Sequence, residues 1–120
     1  MKLRGLRGAT TCDVDTVSEI DTKTKALVAA MLERNDVDHD QLVSMIFTAT
    51  DDLHSQFPAT AARSLGLGDV PLLCARELEI AGGKPRTIRV LMHLYTERSR
   101  RELHHVYLEG ATTLRDDLPE

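Results

Sequence analysis

Two segments of the chain, residues 42–50 and 87–96, carry apolar side chains on both faces of an extended backbone. A strand with one face in solvent alternates apolar and polar residues, whereas a strand covered on both sides is apolar at successive positions. These segments therefore predict central strands of a sheet that is buried on both sides. In the second segment one face carries Ile88, Val90, Met92 and Leu94, and the other carries Arg89, Leu91, His93 and Tyr95.

A helix of about five turns is predicted ahead of the first central strand. Thr16 and Glu19 match a capping box, in which the hydroxyl and the carboxylate bind free N–H groups at the start of a helix. After this start, residues recur at helical spacing up to Arg34-Asn35, namely Val17, Ile20, Thr24, Leu27, Val28, Met31 and Leu32. We expect this helix to cover one face of the sheet.

The remaining elements are shorter. Residues 2–11 and 105–109 are further strand candidates, residues 58–65 predict a short helix with proline in its first turn, and residues 81–84 predict a turn between strands. The resulting order, β-α-β-α-β-β-β, predicts an α/β or α+β fold: a mixed five-stranded sheet with one long and one short helix.

The composition suits one globular domain. A chain of 120 residues, 42% hydrophobic and 28% charged, buries a real core and is not disordered. We assign residues 1–109 to the domain and residues 110–120 to a mobile polar tail. A net charge of −4 speaks against nucleic-acid binding. Without a membrane-spanning apolar run or a signal-peptide core, the chain is expected in the cytoplasm with no membrane partner.

The sequence does not favour a metal site, a disulfide or a catalytic nucleophile. Cys12 and Cys74 lie far apart, and the five histidines are scattered rather than spaced as metal ligands. Nucleotide-binding and serine-hydrolase motifs are absent from the sequence. We therefore expect no metal site and no cofactor.

Arginines carry the strongest chemical signal. Arg89 lies in mid-strand among apolar residues, where an unpaired guanidinium is costly to bury. It therefore either meets an anionic ligand, or forms an ion pair with an acid such as Glu77, or occupies an exposed edge. Arg7 lies among glycines that permit close approach to a ligand, although a solvent-facing strand position explains it as well. With Arg63 and Arg115, these arginines favour a small polyanionic ligand.

Short motifs follow one another along nearly the whole chain. They are RGLRGATT at residues 4–11, ATDDLH at 49–54, FPA at 57–59, Ala62-Arg63, Val70-Pro71, Cys74-x-x-Glu77, Gly82-Gly83, Ile88-Arg89-Val90, HVYLE at 105–109 and Leu114-Arg115. With these motifs the sequence resembles the small trimeric class of chorismate mutase. The resemblance implies a ferredoxin-like chain that assembles as a trimeric pseudo-α/β barrel, with active sites at the subunit interfaces.

The resemblance also implies a reaction. Members of this class isomerise chorismate to prephenate, a unimolecular Claisen rearrangement on the route to phenylalanine and tyrosine. Such a step requires no nucleophile, metal or cofactor. It requires a compact conformer of a flexible dicarboxylate and stabilisation of the charge that develops at the breaking ether bond.

Roles for individual residues follow from the resemblance. Arg89 would donate to the ether oxygen and hold a carboxylate. Arg7 and Tyr107 would bind the side-chain carboxylate of the substrate, and Glu77 and Cys74 would receive the ring hydroxyl. Because Cys74 and Glu77 are three residues apart, a straight strand points them to opposite faces. Both reach one ligand only if the strand bulges between them.

Other residues would complete the pocket from the neighbouring subunit. The resemblance assigns this role to Phe57 and Arg63 and, from the tail, to Leu114 and Arg115. Thr60, also at the pocket mouth, stands where related sequences often carry a lysine. This departure predicts weaker substrate capture, expressed mainly in KM. Two smaller departures are Leu73, where a small polar residue is common, and a loop at residues 66–70 that is one residue short.

Two alternatives share parts of this pattern. The trimeric enamine/imine deaminase-like family also holds a carboxylate with an interface arginine, but its usual motif around the arginine is absent here. A regulatory trimer would bind an aromatic-pathway metabolite without converting it, and loss of Glu77 or Arg89 would favour that function. Both residues are present.

Overall fold

Five strands form one mixed sheet in the computed structural model, which describes residues 1–114. In chain order they are β1 (Lys2–Thr11), β2 (Leu42–Ala49), β3 (Leu72–Arg76), β4 (Thr87–Thr96) and β5 (Val106–Tyr107). Their order across the sheet is β3-β2-β4-β1-β5. Strand β4 is antiparallel to β1 and β2, while β3 runs parallel to β2 and β5 parallel to β1. The predicted five-stranded mixed sheet is confirmed.

Two helices accompany the sheet, α1 (Val17–Arg34) and α2 (Pro58–Ala62), as predicted. Thr16 caps α1 by accepting the N–H of Glu19 at 3.1 Å. The second half of the predicted capping box is wrong, because the Glu19 carboxylate accepts the N–H of Asp13 at 2.7 Å instead. Helical turns at Arg63–Leu67, His39–Gln41, Arg100–Glu102 and Glu109–Thr113 complete the described elements.

The main core lies between the helices and one face of the sheet. Leu27, Val28 and Met31 of α1 are fully buried and belong to the same cluster as Ala59 and Ala62 of α2. The sheet supplies Leu6, Met45, Phe47, Val90 and Met92 to this cluster. Strand β1 approaches α1 so closely that a Cβ at Gly8 would lie 2.5 Å from Sδ of Met31. A larger residue at this position would therefore have to displace the buried Met31 side chain.

The other face of the sheet is open, and the prediction of burial on both sides is wrong for the single chain. We call this surface the open face; it carries Leu73, Leu91 and Tyr95, each with more than a third of its surface exposed. Both helices pack on the opposite side, so nothing within residues 1–114 covers these apolar side chains. Strands β2 and β4 thus carry more apolar side chains than one chain buries.

Two shorter predictions also change. The strand predicted over residues 105–109 is reduced to Val106–Tyr107, because the chain turns into the helical segment Glu109–Thr113. The turn at residues 81–84 is present, with Gly82 at φ 81°, and it joins β3 to β4. These two strands do not pair, since β2 lies between them.

Candidate active site

A cavity of about 300 Å³ lies on the open face where β1, β2 and β4 meet the segment after β3. Four of the residues predicted for the site line it: Arg7, Glu77, Arg89 and Tyr107. Its other walls are Gly8, Ala9, Ile46, Thr48, Val90 and Leu91. Residues far apart in the sequence therefore converge on one concave, cationic surface, which we call the arginine cavity.

Strand register places these side chains together. Arg89 on β4 lies opposite Ala9 on β1 and opposite Thr48 on β2. Ala9 in turn lies opposite Tyr107 on β5. Because Ala9 is small, it leaves room between the longer side chains of its two neighbours. Strand β4 is the middle strand of the sheet, so the edge-strand explanation for Arg89 is wrong.

Arg89 forms an ion pair with Glu77. Its Nε lies 3.1 Å from Oε2 of Glu77, and the side chains are 44% and 23% exposed. The hydroxyl of Thr48 donates to the same oxygen at 2.6 Å. Since the pair uses Nε, the two terminal nitrogens of the guanidinium are the donors that remain for a ligand. The ion pair and the ligand, which the sequence left as alternatives, are therefore compatible.

Arg7 and Tyr107 flank the same cavity. Arg7 is exposed, and its backbone N–H donates to Nδ1 of His105 at 3.0 Å. Tyr107 is 5% exposed and clusters with Ala9 and Ala111, with Leu114 packed against them. Leu114 thus packs beside Tyr107 of its own chain, and its predicted role at the pocket of a neighbouring subunit stays a prediction. Arg115 lies outside the described residues.

Phe57 and Cys74 line a different cavity, of about 450 Å³, which we call the phenylalanine cavity. Cys74 lies opposite Phe47 and packs against the helix-side core. The register of β3 runs without a shift from Leu72 to Arg76, so no bulge turns Cys74 toward Glu77. Within one chain the two residues therefore serve different cavities, while Phe57, 69% exposed, projects into solvent.

Thr60 and Arg63 line neither cavity. Thr60 is half-buried on α2, and Arg63 is exposed at the start of the following helical turn. Nothing within residues 1–114 brings them to Arg89.

No motif in the sequence pointed to Thr48. Thr48 lies on β2, where its side chain is on the other face of the strand from those of Met45 and Phe47. Its hydroxyl contacts Glu77, which was predicted for the site. Strand pairing, which the sequence does not contain, identifies it. The alternation along β2 was the available signal, because it separates Thr48 from the two core residues.

Burial shapes the electrostatics of two other groups. Desolvation lowers the pKa of His105, and the neighbouring His104 lowers it further. Burial raises the pKa of the Cys12 thiol to about 11, which keeps this sulfur protonated and unreactive near neutral pH.

Residues 1–114 contain neither a cluster of metal-ligating side chains nor a membrane-spanning helix. No three His, Cys, Asp or Glu side chains converge in a way that would hold a metal ion. No helix in this part of the chain combines the length and apolar character needed to cross a bilayer.

Comparison with known proteins connects this geometry to a family. The model of the family chorismate mutase type I matches residues 3–118. Chorismate mutase AroH of Bacillus subtilis is 44% identical over 119 residues, covering 98% of this chain and 94% of the relative. Chorismate mutase AroH of Thermus thermophilus is 46% identical over 117 residues, covering 97% and 96%.

A solved structure agrees. A chorismate mutase from Clostridium thermocellum superimposes with a TM-score of 0.89 at 41% identity, covering 90% of this chain and 96% of that one. Between the two trimeric families considered from the sequence, these matches decide against the deaminase-like one. The chain belongs to the chorismate mutase type I family.

Proposed function

We propose that this chain converts chorismate to prephenate in the arginine cavity, and that neighbouring subunits of a homotrimer complete each cavity. The main observation in support of this proposal is a single open cavity lined by Arg7, Glu77, Arg89 and Tyr107. Membership of the chorismate mutase type I family supports the reaction. Chorismate and prephenate are dicarboxylates, so a cavity with two arginines suits both.

The reaction is a rearrangement within one molecule. One ether C–O bond breaks while one C–C bond forms, and no proton or electron passes to the protein. The terminal nitrogens of Arg89 donate to the ether oxygen as negative charge develops there, and they hold a carboxylate. Arg7 and Tyr107 bind the side-chain carboxylate of the substrate, and the carboxylate of Glu77 accepts a hydrogen bond from the ring hydroxyl of the substrate. Catalysis then comes from a restricted conformer and from preorganised charge.

The trimer explains the residues that one chain leaves apart. The open face carries exposed apolar side chains, which are costly to leave in water. Phe57 and Cys74 line the phenylalanine cavity, on the other side of the sheet from Glu77. We assign the phenylalanine cavity, with Thr60 and Arg63, a role at the neighbouring subunit: these residues close the arginine cavity of that subunit. Cys74 and Glu77 then reach one substrate from two chains.

The C-terminal segment belongs to the same proposal. Residues 110–114 lie against β1, where Ala111 is buried beside Tyr107 and the N–H of Gly110 donates to Thr11 at 2.9 Å. We propose that residues 1–109 form the catalytic domain and that the tail, with Leu114 and Arg115, closes the pocket. The role in phenylalanine and tyrosine biosynthesis and the cytoplasmic location stay predictions.

The test is direct. Purified protein is mixed with chorismate without metal or cofactor, and the loss of chorismate is followed in the ultraviolet. We expect rapid conversion to prephenate, lowered by at least ~10²–10³ in Arg89→Ala, because one preorganised donor is lost. Arg34→Ala, at the far end of α1, is the matched control and should retain full activity. Near-normal turnover in Arg89→Ala would refute the mechanism. A folded trimer that leaves chorismate unchanged would instead be a binding protein.

A further inference from the structure

The hydroxyl of Thr48 is the shortest polar contact of the Glu77 carboxylate. Thr48 Oγ1 donates to Oε2 of Glu77 at 2.6 Å, and Arg89 Nε lies 3.1 Å from the same oxygen. Thr48 and Arg89 lie directly opposite each other on β2 and β4. The two donors therefore reach the carboxylate from adjacent strands at the centre of the sheet.

Glu77 is held by one backbone hydrogen bond where the chain leaves the sheet. It lies just beyond the end of β3, at the start of the connection that leads to β4. Its N–H donates to the carbonyl of Ala49 at 3.0 Å, while Leu78 and Ile80 further along are largely exposed. A glutamate in such a segment loses considerable side-chain entropy when it adopts one rotamer. A donor on a rigid strand offsets that loss.

Thr48 is suited to be that donor. As a β-branched residue it has few rotamers, so its hydroxyl direction is set by β2. A hydrogen bond to an ionised carboxylate is shorter and stronger than one between neutral groups. Because both donors bind Oε2, the other oxygen, Oε1, is left to meet a ligand. The contact through Nε also fixes the guanidinium of Arg89, whose terminal nitrogens remain as donors for a ligand.

We infer that Thr48 is a positioning residue, which holds the Glu77 carboxylate so that Oε1 faces the substrate hydroxyl and Arg89 faces the breaking bond. This inference rests on the proposed function. Thr48 acts through Glu77 and does not itself contact the substrate. Its loss should therefore affect kcat more than KM, because the Arg89 contact with developing charge is made in the transition state.

The experiment compares two substitutions at this position. Thr48→Val removes the hydroxyl but keeps the branched shape and the strand preference, whereas Thr48→Ser keeps the hydroxyl. We expect kcat for chorismate to fall about tenfold in Thr48→Val, equal to about 1.4 kcal/mol of barrier. Thr48→Ser should stay near wild type. Thermal unfolding and sedimentation confirm that both variants are folded and assembled as the wild type is.

A double-mutant cycle with Glu77→Ala tests the route of the effect. Because Glu77→Ala removes the acceptor, adding Thr48→Val to it should cause no further loss of kcat. An equal further loss would show that Thr48 does not act through Glu77 and would overturn the inference. Wild-type turnover in a folded Thr48→Val would overturn it too. Failure of the proposed function is a different result, namely a wild-type protein that leaves chorismate unchanged.

Discussion

The backbone N–H of Arg7 donates to Nδ1 of His105 across 3.0 Å. This bond ties a residue of the arginine cavity to the imidazole that precedes β5. Nδ1 accepts a hydrogen bond only while it carries no proton, so the bond requires the neutral ring. Burial lowers the pKa of His105, and the neighbouring His104 lowers it further, so the neutral ring is favoured in the folded protein.

The stability of the protein should therefore fall in acid partly through His105. The folded-state pKa of this residue lies below its ordinary value of 6.5, so below that pH the unfolded chain binds a proton that the folded protein resists. The stabilisation is present above pH 6.5 and is lost as pH falls through the folded-state pKa. His105→Gln keeps an acceptor without this titration. We expect its melting temperature to decline less than that of wild type between about pH 7 and pH 5. Parallel curves would contradict this assignment.

Substrate capture should improve in Thr60→Lys. Thr60 lies half-buried on α2, in the surface that we assign to the mouth of a neighbouring subunit's cavity. An added cation attracts a dicarboxylate before and during the reaction alike, so KM should fall while kcat changes little. Thr60→Met is the control, because methionine is similar in length to lysine but uncharged. Added salt should reduce the fall in KM that Thr60→Lys causes. An unchanged KM in steady-state kinetics would count against this position.

Gly8→Ala should destabilise the fold by about 1–3 kcal/mol, because the added Cβ overpacks the core between β1 and α1. That atom would lie 2.5 Å from Sδ of Met31 and 3.1 Å from Cδ1 of Leu27. Gly5→Ala on the same strand is the control, since its Cβ would lie 3.7 Å from Cδ1 of Leu91, an ordinary contact. Urea unfolding of both variants measures the difference. Equal losses in the two would mean that general strand effects, and not contact with Met31, are responsible.

Leu73→Lys should disrupt the trimer and abolish activity while the chain stays folded. Leu73 is 61% exposed on the open face of the single chain. In the proposed trimer a lysine at this position would be buried at the interface without a partner, which is costly. Val17→Lys, another exposed apolar residue but at the start of α1, should assemble normally. Sedimentation measures the mass, and circular dichroism measures the fold. An active Leu73→Lys trimer would exclude this surface from the interface.

Several parts of the fold could be predicted from local pattern. The order of strands and helices follows from the spacing of apolar residues, and Thr16 marks the start of α1 by side-chain chemistry alone. The importance of Arg89 follows from the cost of an arginine among apolar neighbours, and this cost also predicts an acidic counter-ion such as Glu77, with which Arg89 pairs. Apart from the pairing with Glu77, these inferences concern one residue and its immediate neighbours in the chain, which a sequence displays directly.

Local pattern in the chain indicates which elements form and which charged residues need partners, since propensity, periodicity and the cost of burial are local properties. The other features of the site come from the three-dimensional fold. It separated Cys74 from Glu77, left one face of the sheet open and placed Thr48 beside Glu77. These outcomes depend on strand order, register and the side on which the helices pack. A shift of one residue in register would turn Thr48 to the other face, and the sequence pattern does not state that register.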